Sequence, residues 1–327
     1  MTDGLDMVIS IINYKTPELT IACVESVLMD LARSNNLTAH IVVTDNDSGD
    51  NSIQILTDWV TDHRHTDQVS ILASDVNSGF AGGHNRGIAR LDAAYYLVLN
   101  SDAQVQPGCL GALWHAATAR PDAGLVSPVI TNQDGTPHSS HFRFHSPASE
   151  FIRGACSGPI TRLLHRHEVA PQVPLTVQQA DWVSFACVLL SRAMIRDIGP
   201  MDEGFFLYFE DAEYCLRAKR AGWTMAHTPQ AVAMHIGGGS GPVVALAKAH
   251  ARLPAYYYSA RTRFFFLAYG RGGLWRANFC WALGRAVARL RWLAGRRPYP
   301  AASQEAIDIW RNIWSPLGPR FAPWESK

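Results

Sequence analysis

The chain has 327 residues, 47% of them hydrophobic and 17% charged, which is enough apolar side chain for one large core or two ordinary ones and excludes a disordered polymer. Six cysteines with no CxxC pair and no Cys/His group at zinc spacing argue against a disulfide scaffold or a structural zinc site and fit reduced thiols. The net charge of +1 conceals a division: residues 1–213 carry 12 Lys+Arg against 25 Asp+Glu, a net of −13, whereas residues 214–304 carry 14 Lys+Arg and no carboxylate.

Such asymmetry points to an anionic partner on the basic side. The N-terminal residues run directly into an apolar stretch without a basic leader, so no secretory signal is expected. A short β-branched run at residues 7–12 reads as a strand. Pro17, at a first helical position with Thr16 as N-cap, starts a helix predicted to run to about Met29. Further strands are expected at 40–44, 69–73 and 95–99, with a helix at about 52–60. Strands alternating with helices read as βαβ units on a mostly parallel sheet, whose ligands bind beyond the carboxyl ends of the strands. Four polar loops lie at those ends: residues 13–17, 45–50, 77–87 and 100–102. Residues 131–178, rich in His, Pro and Ser, read as a loop-rich segment. Strands are predicted at 182–191 and 223–235, the latter closed by Gly237–Gly241, and a helical, aromatic, Arg-rich region at about 245–297. No apolar run reaches the roughly 18 residues needed to span a bilayer.

The candidate chemistry sits in those loops. Asp45 and Asp47 follow a strand, where a carboxylate can accept hydrogen bonds from a ribose or base; the same residues also make good turn chemistry. Gly79, Gly82, Gly83 and Gly87 let backbone N–H groups approach a phosphate or simply form a tight turn; neither GxGxxG nor a Walker loop is present. Asp102, at a strand end, is placed to hold a divalent cation but needs partners, and His235 is a candidate. Glu210 and Asp211 either favour a helix start through its dipole or supply a general base.

Taken in order, Asn-Tyr-Lys-Thr-Pro-Glu, Val-Thr-Asp-Asn-Asp-Ser-Gly-Asp, Asn-Ser-Gly-Phe-Ala-Gly-Gly-His-Asn-Arg-Gly, Leu-Asn-Ser-Asp, Asp-Trp-Val-Ser, Phe-Glu-Asp-Ala-Glu-Tyr-Cys-Leu-Arg and His-Ile-Gly-Gly-Gly-Ser resemble family 2 glycosyltransferases, closest to the branch of bacterial rhamnosyltransferases and related galactofuranosyltransferases. The resemblance covers about residues 7–241. It implies an α/β, GT-A fold, Rossmann-like with a mostly parallel central sheet flanked by helices, and an inverting transfer from a nucleotide-diphosphate sugar, with dTDP-rhamnose the leading donor and UDP-sugars next. It divides the chain into a GT-A domain at 1–241, with a nucleotide-binding half to about 120 and an acceptor and catalytic half to 241, and a helical extension at 242–327. It assigns donor binding to Asn13, Asp45, Asn77, Gly79, Gly82, Asn85 and Ser101, Mg²⁺ or Mn²⁺ to Asp102 and His235, and the catalytic base to Asp211. Trp182, Phe185 and Glu210 become acceptor-side candidates. Two departures stand out: Asn100 replaces the first Asp of a full DxD, and Phe185 replaces a glycine near the acceptor cleft, where a bulky ring would reshape binding.

The implied partners are a nucleotide-sugar and a glycan or polyprenyl-linked acceptor, in the cytoplasm, with the enzyme peripheral on the inner membrane face. In the basic third, helical spacing sets Arg285, Arg289 and Arg296 opposite an apolar side of Phe279, Leu283, Val287 and Leu290, with Trp281 and Trp292 flanking. That predicts either docking on anionic lipid through 276–297 or packing of the apolar side on the domain or on a second subunit in a homodimer. A nucleic-acid surface at Tyr256–Tyr258, Arg261, Arg263 and Phe264–Phe266 is disfavoured by the acidic body, and a sugar-1-phosphate nucleotidyltransferase by the missing basic Gly-rich segment near the first strand.

Overall fold

A computed structural model describes residues 4–34, 36–171, 173–236, 242–296, 301–320 and 322. The expected Gly237–Gly241 closure and Arg297 lie outside the described residues. The strands are β1 (Leu5–Asn13), β2 (Ala39–Asp45), β3 (Val69–Ala73), β4 (Ala93–Asn100), β5 (Ala103–Val105), β6 (Ala123–Thr131), β7 (His141–Phe142), β8 (Trp182–Val183), β9 (Cys187–Ser191) and β10 (Thr224–His235). The helices are α1 (Pro17–Leu31), α2 (Ser52–Asp62), α3 (Gly79–Ala89), α4 (Cys109–Thr118), α5 (Pro147–Ala155), α6 (Gly158–Leu163), α7 (Arg192–Ile198), α8 (Glu210–Arg220), α9 (Val243–Lys248), α10 (Ala255–Leu293) and α11 (Glu305–Asp308).

The chain forms two compact units that exchange segments: the first holds residues 1–140, 183–202 and 217–240, the second 141–182, 203–216 and 241–327. The division expected from sequence was instead linear, with cuts near 120 and at 241.

In the first unit an eight-stranded sheet runs in the order β3-β2-β1-β4-β9-β6-β10-β5. β3, β2, β1 and β4 are mutually parallel, as the buried apolar runs predicted. β9 is antiparallel to both β4 and β6. The expected 182–191 strand is broken: residues 184–186 lie outside strands, and β8 pairs with β7 in a separate two-stranded sheet. Thr16 does not cap α1 through its side chain; its carbonyl accepts instead from Thr20.

α3 lies against β1 at glycine distance. A Cβ on Gly83 would stand 2.7 Å from Cδ1 of Ile12, and one on Gly87 2.4 Å from Oγ of Ser10. These two glycines therefore serve close helix–strand packing. Gly87→Ala should destabilise the fold by about 1–3 kcal/mol through overpacking of a buried strand. Gly111→Ala, inside α4 and meeting only Ser34 Oγ at 3.7 Å, should be neutral or stabilising by up to about 1 kcal/mol. Urea unfolding of the two variants checks the contrast.

In the second unit, α5 and α10 pack backbone to backbone. A Cβ on Gly154 would meet the Trp281 carbonyl at 2.3 Å, and one on Gly284 the Phe151 carbonyl at 2.5 Å. This choice of face departs from one of the two expectations for α10, the packing of its apolar side on the domain. The buried side carries Leu274, Ala277, Trp281, Gly284 and Ala288, while Phe279, Leu283 and Leu290 are exposed. Small residues win the interface because they let the two helix axes approach and bring polar anchors into reach. Arg285 donates to the Gly154 carbonyl, and Arg291 donates to the Ala155 and Cys156 carbonyls, answering the unpaired acceptors and negative dipole end of α5. Arg285 is thus engaged with α5 and not part of a solvated face. α10 also bends where Gly270 leaves the helical region at φ 67°.

Most of the Arg and aromatic residues that suggested a nucleic-acid surface are buried, and Tyr257, Arg263 and Phe266 are half-buried. Arg261 is 1% exposed, and Tyr256, Tyr258, Phe264 and Phe265 are buried. Among the described residues no helix is long and apolar enough to cross a membrane.

Candidate active site

In the first unit the site grows from the carboxyl ends of β1, β2 and β4. Asn13 and Asp45 are register partners at the ends of β1 and β2. Asn13 Nδ2 donates to Asp45 Oδ1 at 2.7 Å, and its Oδ1 accepts from Thr20. The Asp45 carboxylate also accepts from the Ser48 hydroxyl at 2.6 Å and the Ser48 amide at 3.1 Å. Both residues are fully buried, so much of their hydrogen-bonding capacity goes to fixing the loop, in line with the turn reading of the sequence. Asp47 is exposed, with φ at 59°, a conformation Asp tolerates.

Asn46, which the sequence reading passed over, joins that loop to the glycine-rich one. Its Nδ2 donates to Asn77 Oδ1 and the Gly79 carbonyl, and its Oδ1 accepts from the Ser78 amide and hydroxyl. Arg86 clips the same segment from α3 by donating to Ser74 and Ser78. Asn77 Oδ1 accepts also from the Gly79 amide, and Gly79 enters α3 at φ 73°. Gly82 is buried in the helix. Asn85, a donor-binding candidate, holds the Met201 backbone from both sides, Nδ2 to the carbonyl at 2.9 Å and Oδ1 from the amide at 3.1 Å. The only hint of Asn46 in the sequence is a turn-forming Asn directly after a buried strand.

Beyond β4 the chain turns at Ser101, which is half-buried, and Asp102, which is buried. β5 then pairs antiparallel with the end of β10, setting Ala103 opposite His235. The Asp102 carbonyl accepts from the Ile236 amide. This pairing brings His235 Nε2 to 3.1 Å from Asp102 Oδ1 and 3.3 Å from Asn100 Nδ2. The expected Asp102–His235 pair is therefore assembled across 133 residues of sequence. Cys23 lies near enough for its thiol pKa to be pushed up, by burial first and by the Asp102 charge second. His138 stands edge-on to His235, ring centres 6.0 Å apart. Burial and then the His235 charge lower the His138 pKa.

A divalent cation fits this pair in part. A carboxylate oxygen and an imidazole nitrogen 3.1 Å apart suit Mn²⁺ or Mg²⁺ when a diphosphate and water complete the shell. No group of three or more His, Cys, Asp or Glu among the described residues could hold the ion alone. Among the described residues the buried His235 Nδ1 has no partner, the place where an acceptor usually steadies a metal-bound imidazole.

In the second unit, Asp211 sits in the first turn of α8, after a distorted entry. Tyr208 and Phe209 have φ of 73° and 69°, a strained pair for side-chain-bearing residues. The aromatic run anchors that strain: Phe205 and Phe209 pack with Phe264, Phe265, Leu274 and Ala277 of α10. Burial raises Asp211 to about 7. Glu210 is 5% exposed, and its Oε2 has no hydrogen-bond partner among the described residues. Its carboxyl is pushed well above the usual range, by burial first and by the Asp211 charge second. Trp182 is half-buried, stacks on Phe142 at 4.4 Å and donates from Nε1 to the Arg143 carbonyl. Phe185, in the first unit, is 2% exposed.

A strand-end carboxylate beside an imidazole on a mostly parallel sheet, with a raised-pKa carboxyl elsewhere in the chain, is the equipment of a group-transfer enzyme. The description Glycosyl transferase family 2 matches residues 8–171. The chain belongs to that family and is a glycosyltransferase. It is 28% identical over 288 residues to the N-acetylglucosaminyl-diphospho-decaprenol L-rhamnosyltransferase of Mycobacterium tuberculosis, covering 81% of this chain and 86% of that enzyme. It is 28% identical over 221 residues to the low-salt glycan biosynthesis hexosyltransferase Agl10 of Haloferax volcanii, covering 66% of this chain and 62% of that enzyme. In fold it is similar to the mannosyltransferase PcManGT of Pyrobaculum calidifontis, solved with GDP-Man and Mn²⁺, at a TM-score of 0.54, 13% identity, and coverage of 97% of this chain and 83% of the other. It is also similar to GalNAc-T7, solved with UDP, GalNAc and Mn²⁺, at a TM-score of 0.59, 14% identity, and coverage of 97% and 60%. These structures share the GT-A architecture expected from the sequence.

Proposed function

We propose that the protein is a metal-assisted, inverting transferase that moves a sugar, L-rhamnose from dTDP-rhamnose in the leading case, to a hydroxyl of a polyprenyl-diphosphate-linked glycan on the cytoplasmic side of the membrane. The observation that carries the donor side of this reading is the convergence of Asp102 and His235 at the end of β4. The rhamnosyltransferase relative, whose name specifies a lipid-linked N-acetylglucosamine acceptor, supports the substrates.

In this reading the first unit handles the donor. The loop held by Asn13, Asp45, Asn46 and Asn77 receives the nucleoside, and Asp102 and His235 hold Mg²⁺ or Mn²⁺. Such an ion, when bound, offsets the charge that builds on the departing diphosphate. The second unit activates the acceptor. Asp211, ionised near neutral pH, accepts the proton of the acceptor hydroxyl as its oxygen attacks the anomeric carbon from the face opposite the leaving group. Glu210, next to it and pushed up by burial, orients the acceptor when protonated by donating a hydrogen bond, as a neutral carboxyl can.

Asp102→Ala and His235→Ala should each weaken Mn²⁺-dependent binding of the nucleotide-sugar by about tenfold or more, read by titration calorimetry with and without the ion. An unchanged ion requirement in both variants rules out this cation site. Thermal-shift screening of dTDP-rhamnose against UDP- and GDP-sugars identifies the donor, and stabilisation by UDP-sugars alone would exclude the rhamnose assignment.

A further inference from the structure

The outward side of α10 has the chemistry of a membrane-surface helix. At 3.6 residues per turn, Phe279, Leu283, Ala286, Leu290 and Leu293 fall within an arc of about 80° and run about 21 Å along the axis. Phe279 is 58% exposed, Leu283 60%, Leu290 65% and Leu293 73%, an uninterrupted apolar seam that an ordinary surface helix lacks. Aromatic contacts widen it. Trp275 meets Trp314 at 5.8 Å, and Phe279 meets Trp310 at 5.8 Å. Trp314, 76% exposed, and Leu317, 50% exposed, extend the surface.

The charges beside this seam have one sign. Arg276 lies on one flank and Arg289 on the other, and Arg296 follows just beyond the helix end, all exposed. No carboxylate occurs between Tyr214 and Gln304. The next two acidic residues, Glu305 and Asp308, are buried and paired with Arg153 and Arg252. An apolar ridge with Trp residues at its margin and arginines on both flanks complements anionic phospholipid, whose acyl boundary takes the ridge and whose headgroups take the guanidinium groups.

We propose that this face, centred on Phe279, Leu283, Leu290 and Leu293, docks the protein on an anionic phospholipid surface. It deepens the reading of a lipid-linked acceptor, since docking brings the enzyme to the plane where a polyprenyl diphosphate headgroup is presented. The glycines and Arg285 that hold α5 free the apolar seam for this use.

The test is co-sedimentation of the full chain, without substrates, with vesicles of phosphatidylglycerol and phosphatidylethanolamine and with vesicles of phosphatidylcholine. Wild type should bind the anionic vesicles, more tightly at low salt. Leu283→Gln with Leu290→Gln should weaken binding by at least about tenfold. Arg276→Gln, Arg289→Gln and Arg296→Gln together should remove the salt dependence. Wild type remaining in the supernatant overturns the proposal, as does equal binding by both variants. So does a dimer that the leucine variant dissociates in a protein that ignores vesicles. Transfer to a short-chain, water-soluble acceptor should be unchanged in both variants. A wild type that binds vesicles yet transfers no sugar would defeat the functional reading while leaving the docking face intact.

Discussion

Asp211→Asn is expected to lower sugar transfer by about 10²–10⁴-fold, the usual worth of a positioned general base, while leaving nucleotide-sugar affinity at the wild-type value. The separation follows from the proposed division of labour, because Asp211 belongs to the second unit and the candidate donor residues to the first. The pH profile of the wild type should fall on the acid side with an apparent pKa of about 7, where burial holds the Asp211 carboxyl. Two neighbouring carboxyls titrate as a pair. Burial and the Asp211 charge push the Glu210 carboxyl up as well, so the apparent value belongs to the pair. The linked stability has a definite sign. Between the ordinary carboxyl value of 3.8 and about 7 the native state retains a proton that the unfolded chain releases, so stability declines as pH rises through that window. Asp211→Asn should therefore raise the thermal midpoint above pH 7 while removing activity. A variant with near wild-type turnover would exclude Asp211 as the base.

Glu150→Ala should cost the second unit about 3–5 kcal/mol, because it strands a buried guanidinium. Glu150 is 3% exposed and Arg261 1% exposed; they pair at 2.7 Å, and Arg261 also donates to Asn278 Oδ1 at 2.8 Å. Asn278 in turn donates to the Ile309 carbonyl, and Arg153 bridges Glu150 to Glu305. One network thus joins α5, α10 and α11. Burial alone would raise the Glu150 carboxyl, yet the Arg153 and Arg261 charges and hydrogen bonds hold it at about 2. Its contribution is present above the unfolded value of 4.5 and lost as pH falls from there toward 2. Glu150→Leu combined with Arg261→Met should recover most of the loss, since an apolar pair of similar size removes both charges together. Urea unfolding of the single and double variants reads this directly, and a cost under about 1 kcal/mol for Glu150→Ala would mean the pair is solvated in solution.

The parts of the fold that were legible in the sequence are those set by local pattern. Buried β-branched runs gave β1 to β4, and Pro17 marked the start of α1. The order of strand-end motifs led to the GT-A architecture. What pattern did not encode was partnership over distance. β9 enters antiparallel between β4 and β6, which no periodicity within Cys187–Ser191 specifies. The choice of buried face on α10 turned on Gly154 and Gly284, whose value lies in the side chain they lack. Motif order suggested Asp102 and His235 as a pair, and the β5–β10 register brings them to contact distance. Asn46 went unread because its role is to hold other loop residues, which leaves no signature beyond turn chemistry.

The central claim is that sugar passes from a nucleoside diphosphate to a lipid-linked glycan hydroxyl with one displacement at the anomeric carbon. It is tested most directly by incubating the protein with Mn²⁺, dTDP-rhamnose and a polyprenyl-diphosphate-linked N-acetylglucosamine acceptor, and reading the product's anomeric configuration by NMR. The account predicts a rhamnosylated acceptor whose anomeric configuration is opposite to that of the donor, with one nucleoside diphosphate released per sugar transferred. A product that keeps the donor's configuration, or donor consumed with no sugar on the acceptor, would contradict it.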